Sequence, residues 1–307
     1  MLPSNAWKNR EPRFGFPTFK GIDNLVSFSV RPDFVPVDFV KMKREGFGAL
    51  MHGPRALGGF LKVNVPLLLF SRDQNLRFKL IVTSRNGEYC GTKKIAGVYP
   101  PGGSIDVNVT EVIKDMGLPD DDYMAILVMS NGRHDGVRSS PGSYSMTYSG
   151  KNFYSTYRTG GFIRTLNDPR KKSHFGFRGI NPTVIANKDT LSSLFLINHS
   201  SWPGYNDVAN PRTVLLRADG KTREARFGEI HPFGGVEKSM EELFGKDVHE
   251  FLAPFGGKGT TITTCPGVTL ASIHITRARD GSSFSIEHSR PTHTYLLAGV
   301  AGTIYKK

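Results

Sequence analysis

The sequence predicts an all-β chain, built as two tandem, duplicated β-sandwich domains behind an extended N-terminal arm. Three observations carry that expectation. The 307 residues include 34 glycines and 19 prolines, a density of helix breakers that long helices do not tolerate and short strands with many turns do. Turn dipeptides punctuate short apolar runs along most of the chain, as in β-sandwiches. The chain also matches itself, which sets the domain count more firmly than length does.

The self-match runs in order. Val98-Tyr99-Pro100-Pro101-Gly102-Gly103 answers Ile230-His231-Pro232-Phe233-Gly234-Gly235, and Ser84-Arg85-Asn86-Gly87 answers Arg217-Ala218-Asp219-Gly220. Downstream, Glu111-Val112-Ile113 answers Glu242-Leu243-Phe244, and 144–149 answers 284–289, all at offsets of 131 to 140. The expected boundaries are an arm over 1–20, a first domain over 21–160 and a second over 161–307.

Within each copy the elements follow from local chemistry. The arm carries Trp7, Phe14, Phe16 and Phe19 among prolines, too apolar for a free tail, so it is expected to pack on a neighbouring domain or subunit. Residues 78–83 and 213–217 read as strands closed by Asn-Gly and Asp-Gly, whose positive φ suits a tight hairpin. The next strand in each copy ends at the Pro-x-Gly-Gly turn. Helix is confined to short pieces near 110–116 and 239–245. Residues 123–129 form an apolar run. In 270–277, Leu270, Ser272, His274 and Thr276 share one face, and Ala271, Ile273 and Ile275 the other. Residues 199–207 read as a loop inserted where the first copy has only 71–75.

This order of strands and turns resembles tandem immunoglobulin-like modules of bacterial multidomain proteins. The Cys…Trp…Cys spacing of true immunoglobulin domains is absent, and a jelly roll fits the same pattern. No one family is singled out.

Hydrophobic residues are 38% and charged residues 22%, an ordinary mix that excludes whole-chain disorder. The longest apolar run, 65–70, is far below the ~18 residues that cross a bilayer, so no membrane insertion is expected. The N-terminus lacks the apolar core of a secretory signal. With Met1 as the natural start, the cytoplasm is the expected location. Forty Lys and Arg against 27 Asp and Glu give a net charge of +13. That field attracts polyanions, or it keeps a solvated surface soluble. The charge is spread, with no tract of five, which argues against a nucleic-acid tail. Cys90 and Cys265 stand far apart outside any CxxC pair, which excludes a thiolate zinc site and favours free thiols.

No catalytic motif is present: no GxSxG, no HExxH, no P-loop and no GxGxxG after a strand. No cofactor and no metal are expected; Asp120-Asp121-Asp122 reads as a solvated turn before a calcium site. Two segments nevertheless concentrate chemistry. One spans 287–295, with Glu287, His288, Arg290 and His293 as contacts for a polyol or anion. The other is 199–207, where Trp202 and Tyr205 offer flat faces and His199 a polar handle.

The expected function is therefore a non-enzymatic binding or assembly protein. It would recognise a polyanion or carbohydrate through loops and the inter-domain cleft, and form a homo-oligomer through its arm. The alternative is a lyase or hydrolase of acidic saccharides using Tyr148, Arg158, His231, His288 and Arg290 in that cleft. A second alternative is a viral or phage structural protein. Convergence of those five residues favours the enzyme, and scatter favours binding.

Overall fold

The computed structural model describes residues 51–54, 60–64, 77–99, 104–129, 144–149, 154–159, 176–198, 207–268, 270–288 and 290–291. They form β-strands in antiparallel sheets with three short α-helices, the all-β class that turn density implies. The first set of strands is β1 (Met51–Pro54), β2 (Phe60–Asn64), β3 (Phe78–Ser84), β4 (Tyr89–Lys94), β5 (Ser104–Asn108), β6 (Tyr123–Met129), β7 (Tyr144–Ser149) and β8 (Tyr154–Thr159). The second is β9 (Gly176–Ile185), β10 (Thr190–Asn198), β11 (Arg212–Leu216), β12 (Thr222–Arg226), β13 (Gly235–Ser239), β14 (Lys258–Pro266), β15 (Leu270–Ala278), β16 (Phe284–His288) and β17 (Arg290–Pro291).

Four sheets result. Sheet I is ordered β1-β6-β3-β4 and sheet II β5-β2-β7-β8. Sheet III is ordered β12-β11-β14-β9-β17 and sheet IV β13-β10-β15-β16. Numbering the second set from β9, sheets I and III share one order and sheets II and IV share another, with β17 as the only addition among the described strands.

Helix caps repeat the correspondence. Asn108 caps α1 (Val109–Asp115) by accepting from the Glu111 N–H. Ser239 caps α2 (Met240–Phe244) in a reciprocal box with Glu242. A third helix, α3 (Val248–Leu252), has no counterpart in the first set.

Two sequence readings change. Strand order makes β15, not β16, the counterpart of β7, so the match of 144–149 with 284–289 is one strand out of step. A short alternation of Tyr, Phe and Ser fits any half-buried strand. Nor is 199–207 an insertion. The connection from β10 to β11 covers 199–211 and that from β2 to β3 covers 65–77, equal in length. The extra length of the second set lies at 245–257, which holds α3, against 116–122.

Burial shows one core passing into the next. Sheet IV is covered on both faces: Leu194, Leu196 and Leu270 pack with Leu215, Val184 and α2, whereas Phe195, Ile197, Ile273, Ile275 and Ile286 pack with Leu80, Val82, Ile113 and Tyr123 of the first set. The alternation in β10 and β15 is therefore apolar towards both cores, as doubly covered strands require.

One buried titratable group sits between sheets III and IV. His274, 8% exposed, has Nε2 3.0 Å from Ser192 Oγ and 3.2 Å from Thr276 Oγ1, while the Ile185 N–H donates to the same Ser192 oxygen. Desolvation holds its imidazole below the ordinary range, and exposed Glu287, directly across the ladder, opposes this weakly. The unfolded chain binds the proton more readily, so stability is full above a pH of about 6.5 and falls on acidification below it. The melting temperature is expected to drop between pH 7.5 and 5.5 more for the wild type than for His274→Gln. Equal drops would assign the acid lability elsewhere.

Candidate functional site

The junction between the two strand sets is built from two turns that the sequence marks separately. In the β3–β4 hairpin, Gly87 takes φ 87°, and Ser84 Oγ accepts from the N–H groups of Asn86 and Glu88. This turn lies against 231–235. The Gly235 N–H donates to Arg85 O at 2.9 Å, and Thr83 Oγ1 donates to Phe233 O at 3.0 Å. A Cβ on Gly87 would stand 1.8 Å from Pro232 O, and one on Gly234 2.5 Å from Arg85 O. Only glycine lets two backbones approach this closely.

Side chains lock the contact. Arg85 Nε is paired with the Asp122 carboxylate, and its guanidinium lies 4.6 Å from the centroid of the Phe195 ring, which is fully buried. Phe233 has φ 61°, the one left-handed non-glycine among the described residues, and is 1% exposed. That conformation costs about 1–2 kcal/mol. Its N–H donates to Asn198 O at 2.6 Å, so the turn is held from both sides.

Asn198 then fixes what leaves the junction. Its side-chain amide donates to Asp207 O at 2.7 Å and to Ile230 O at 2.8 Å, and its own N–H donates to Gly234 O. Asn198 and Asp207, which flank residues 199–206, are thus pinned together next to the junction turn that carries half-buried His231. The segment that holds Trp202 and Tyr205 in the sequence is flanked by two residues of the seam.

The expected site residues fall in different places. Tyr148 is 2% exposed in the core, its ring 6.4 Å from that of Phe284. His231 stands in the junction turn. Phe284 pairs with Arg277, whereas the junction meets the Leu270 end of β15 through Asn198. Seven residues of strand separate those ends, on the order of 23 Å, so the structure does not bring Tyr148 and His231 together. Arg158 is opposite Ser145 in β8, His288 opposite Ile273 and Arg290 opposite Ile180. Glu287 is exposed on β16. His199, Trp202, Tyr205 and His293 lie outside the described residues, as does the arm over 1–20.

The sequence reading missed Arg85, Asp122, Phe195, Asn198 and Phe233. A polar Asn closing the run Leu194-Phe195-Leu196-Ile197 was the available signal for one of them, since a buried amide needs partners. Among the described residues no three His, Cys, Asp or Glu gather as a metal site. In the acidic turn, Asp122 is held by Arg85, and Asp121 Oδ1 accepts from the Asp122 N–H. Cys90 and Cys265 are free thiols whose pKa burial raises, so neither is an activated thiolate. No described helix is long and apolar enough to cross a membrane.

No family model and no curated protein matches the chain. Among solved structures it is similar to Bacteroides uniformis beta-glucuronidase at 12% identity, over 85% of this chain and 28% of that one, with a TM-score of 0.14. A glycosyl hydrolase family 2 member from Bacteroides cellulosilyticus DSM 14838 aligns at 9% identity, over 76% and 28%, with a TM-score of 0.12. The chain spans little more than a quarter of those proteins. Scores this low carry no argument about fold or activity.

Proposed function

We propose that the chain is a duplicated, two-sandwich binding or assembly protein whose partner, a polyanion or a carbohydrate, is held at the junction by the loop over 199–206. The equal strand order of the two sheet pairs supports the duplication. The observation that carries the binding site is the Asn198 clamp: Asn198 and Asp207, which flank the segment holding Trp202 and Tyr205 in the sequence, are hydrogen-bonded to each other at the junction turn that carries His231. A rigid base with an aromatic tip is how a sandwich scaffold presents a recognition surface. The separation of Tyr148 from His231 favours this reading over a lyase or hydrolase that needs both in one cleft.

Trp202→Ala tests it. If Trp202 serves binding and not packing, the variant is expected to melt within about 2 °C of the wild type. Its affinity for immobilised heparin or for a panel of acidic and neutral oligosaccharides is expected to fall by roughly tenfold or more, the worth of one stacked aromatic. A melting temperature lowered by about ten degrees, with binding intact, would make the loop a structural plug and remove the site.

A further inference from the structure

Asn-Gly and Asp-Gly close three described hairpins in the same way, and one of the three leaves its side chain uncommitted. In each, the glycine takes a left-handed φ and its N–H donates three residues back. Gly87 donates to Ser84 O at 2.9 Å, Gly220 to Arg217 O at 2.9 Å and Gly281 to Ala278 O at 3.0 Å. Two of these turns carry an aspartate that is already engaged. Asp219 accepts from the Arg217 guanidinium and the Lys221 N–H, and Asp280 from the Ser282 N–H. Such hydrogen bonds hold both carboxyls below the ordinary range, Asp219 at about 2. An ionised carboxylate is a poor electrophile. The third turn carries Asn86, an uncharged amide. Asn86 is exposed, and among the described residues its side chain makes no hydrogen bond.

Asn-Gly is well suited to cyclise, because glycine has no side chain to shield its nitrogen. The Gly87 nitrogen attacks the side-chain carbonyl carbon of Asn86 and a C–N bond forms. The displaced side-chain nitrogen leaves as ammonia, taking up the Gly87 proton through water. Water then opens the five-membered imide at one of its two carbonyls. Opening at the main-chain carbonyl gives isoaspartate, whose backbone runs through the former side chain and is one carbon longer. The closed junction opposes the first step. Attack turns the 86–87 peptide towards the side chain, which breaks the Gly87–Ser84 hydrogen bond. The second strand set presses on that same peptide. An ideal Cβ on Gly234 would stand 3.1 Å from Asn86 C and 3.2 Å from Gly87 N. Arg85 O is held by the Gly235 N–H, and Ser84 Oγ by the N–H groups of Asn86 and Glu88. Water reaches the amide, but the backbone cannot turn.

We propose that Asn86 is a modification site gated by the junction. It deamidates when the two strand sets part at this turn, and the isoaspartyl product cannot close the contact again. One added backbone carbon shifts Gly87 against the Pro232 carbonyl, where even a methyl has no room, or pulls Arg85 O from the Gly235 N–H. A passing separation of the two sets thus becomes a permanent one. The rate of marking follows the population of the locally open state, whatever the junction binds.

The test incubates the full chain in warm, mildly alkaline buffer and reads conversion of Asn86 by tandem mass spectrometry. Conversion is expected to be at least about tenfold slower in the native chain than in urea, because the rate scales with the open population. Asn131, the other asparagine of the sequence that precedes glycine, checks in urea that the chemistry runs. Gly234→Ala puts a methyl 2.5 Å from Arg85 O and wedges the turn apart. Shown to be folded by circular dichroism, it is expected to convert Asn86 at least about tenfold faster than wild type. Should it fail to fold, Asp122→Ala, which removes the carboxylate paired with Arg85, takes its place with a gain of at least about threefold. The fraction carrying isoaspartate at position 86, isolated by ion exchange and peptide mapping, is expected to melt at least about 5 °C below the intact chain. Asn86→Asp, which adds the charge without the carbon, is expected to stay within about 2 °C. Equal rates in native buffer and urea, or a folded wedge variant no faster than wild type, would overturn the gate. No conversion of Asn86 in urea while Asn131 converts would overturn the site. An isoaspartyl chain that melts with the wild type would overturn the permanence of the opening.

Discussion

Gly87→Ala is expected to destabilise the protein by about 3 kcal/mol or more. Two costs add. A left-handed φ in a residue with a Cβ costs about 1–2 kcal/mol. The new methyl also has nowhere to go: it would meet the Pro232 carbonyl oxygen at 1.8 Å, and that atom belongs to a backbone already held by Asn198 and Arg85. Overpacking against an immobile neighbour adds about 1–3 kcal/mol. Gly220→Ala is the matched control. Gly220 has φ 85° in the corresponding Asp-Gly turn, with nothing within 4 Å of its ideal Cβ. It is expected to suffer the conformational cost alone. Urea denaturation of the pair isolates the junction as the difference between their losses. Equal losses would mean that the two strand sets do not press on each other at this point.

Phe195→Ala is expected to cost about 3–5 kcal/mol, in the range of buried aromatic truncations. The ring is fully buried on the face of sheet IV that meets the first strand set, with the Arg85 guanidinium over it and Gly235 against its edge. Truncation opens a cavity at the seam and leaves the guanidinium without its aromatic face. Because sheet IV belongs to both cores, both strand sets are expected to unfold together at the lower midpoint. A loss below about 1.5 kcal/mol, or two separated transitions, would show that the sets are independent bodies with a soft contact.

Much of this architecture was legible from one dimension. Turn chemistry is local, so Asn86-Gly87 and Asp219-Gly220 mark their hairpins directly, and Asn108 and Ser239 announce the short helices that follow them. The shared strand order left its trace in the sequence as matching turns, because such turns need the same small residues. What could not be read was the meeting of unlike parts. Nothing in the pattern of 84–87 says that its partner is 231–235, since that contact crosses some 150 residues of sequence. The same limit hid Arg85 and Asp122, whose pairing depends on a fold already formed. His274 shows the other side of the limit. Alternation placed it on the correct face of β15, but only packing shows that both faces of the strand are buried.

The two Pro-x-Gly-Gly motifs look interchangeable and are not. The left-handed residue of the second is Phe233; its match in the first is Pro101, whose ring fixes φ near −65° and so bars that conformation. The strand positions differ in the same sense. By register, Lys62, Asn64, Ser145 and Thr147 of sheet II stand where sheet IV has Phe195, Ile197, Ile273 and Ile275. Considered as a link in a chain, the molecule has one receiving face, and its own first unit already fills it. The corresponding strand positions of that first unit, Lys62, Asn64, Ser145 and Thr147, lack the apolar bed needed to receive another. Units joined by this contact therefore terminate at two and do not propagate into a filament. Any larger assembly must be made through some other surface.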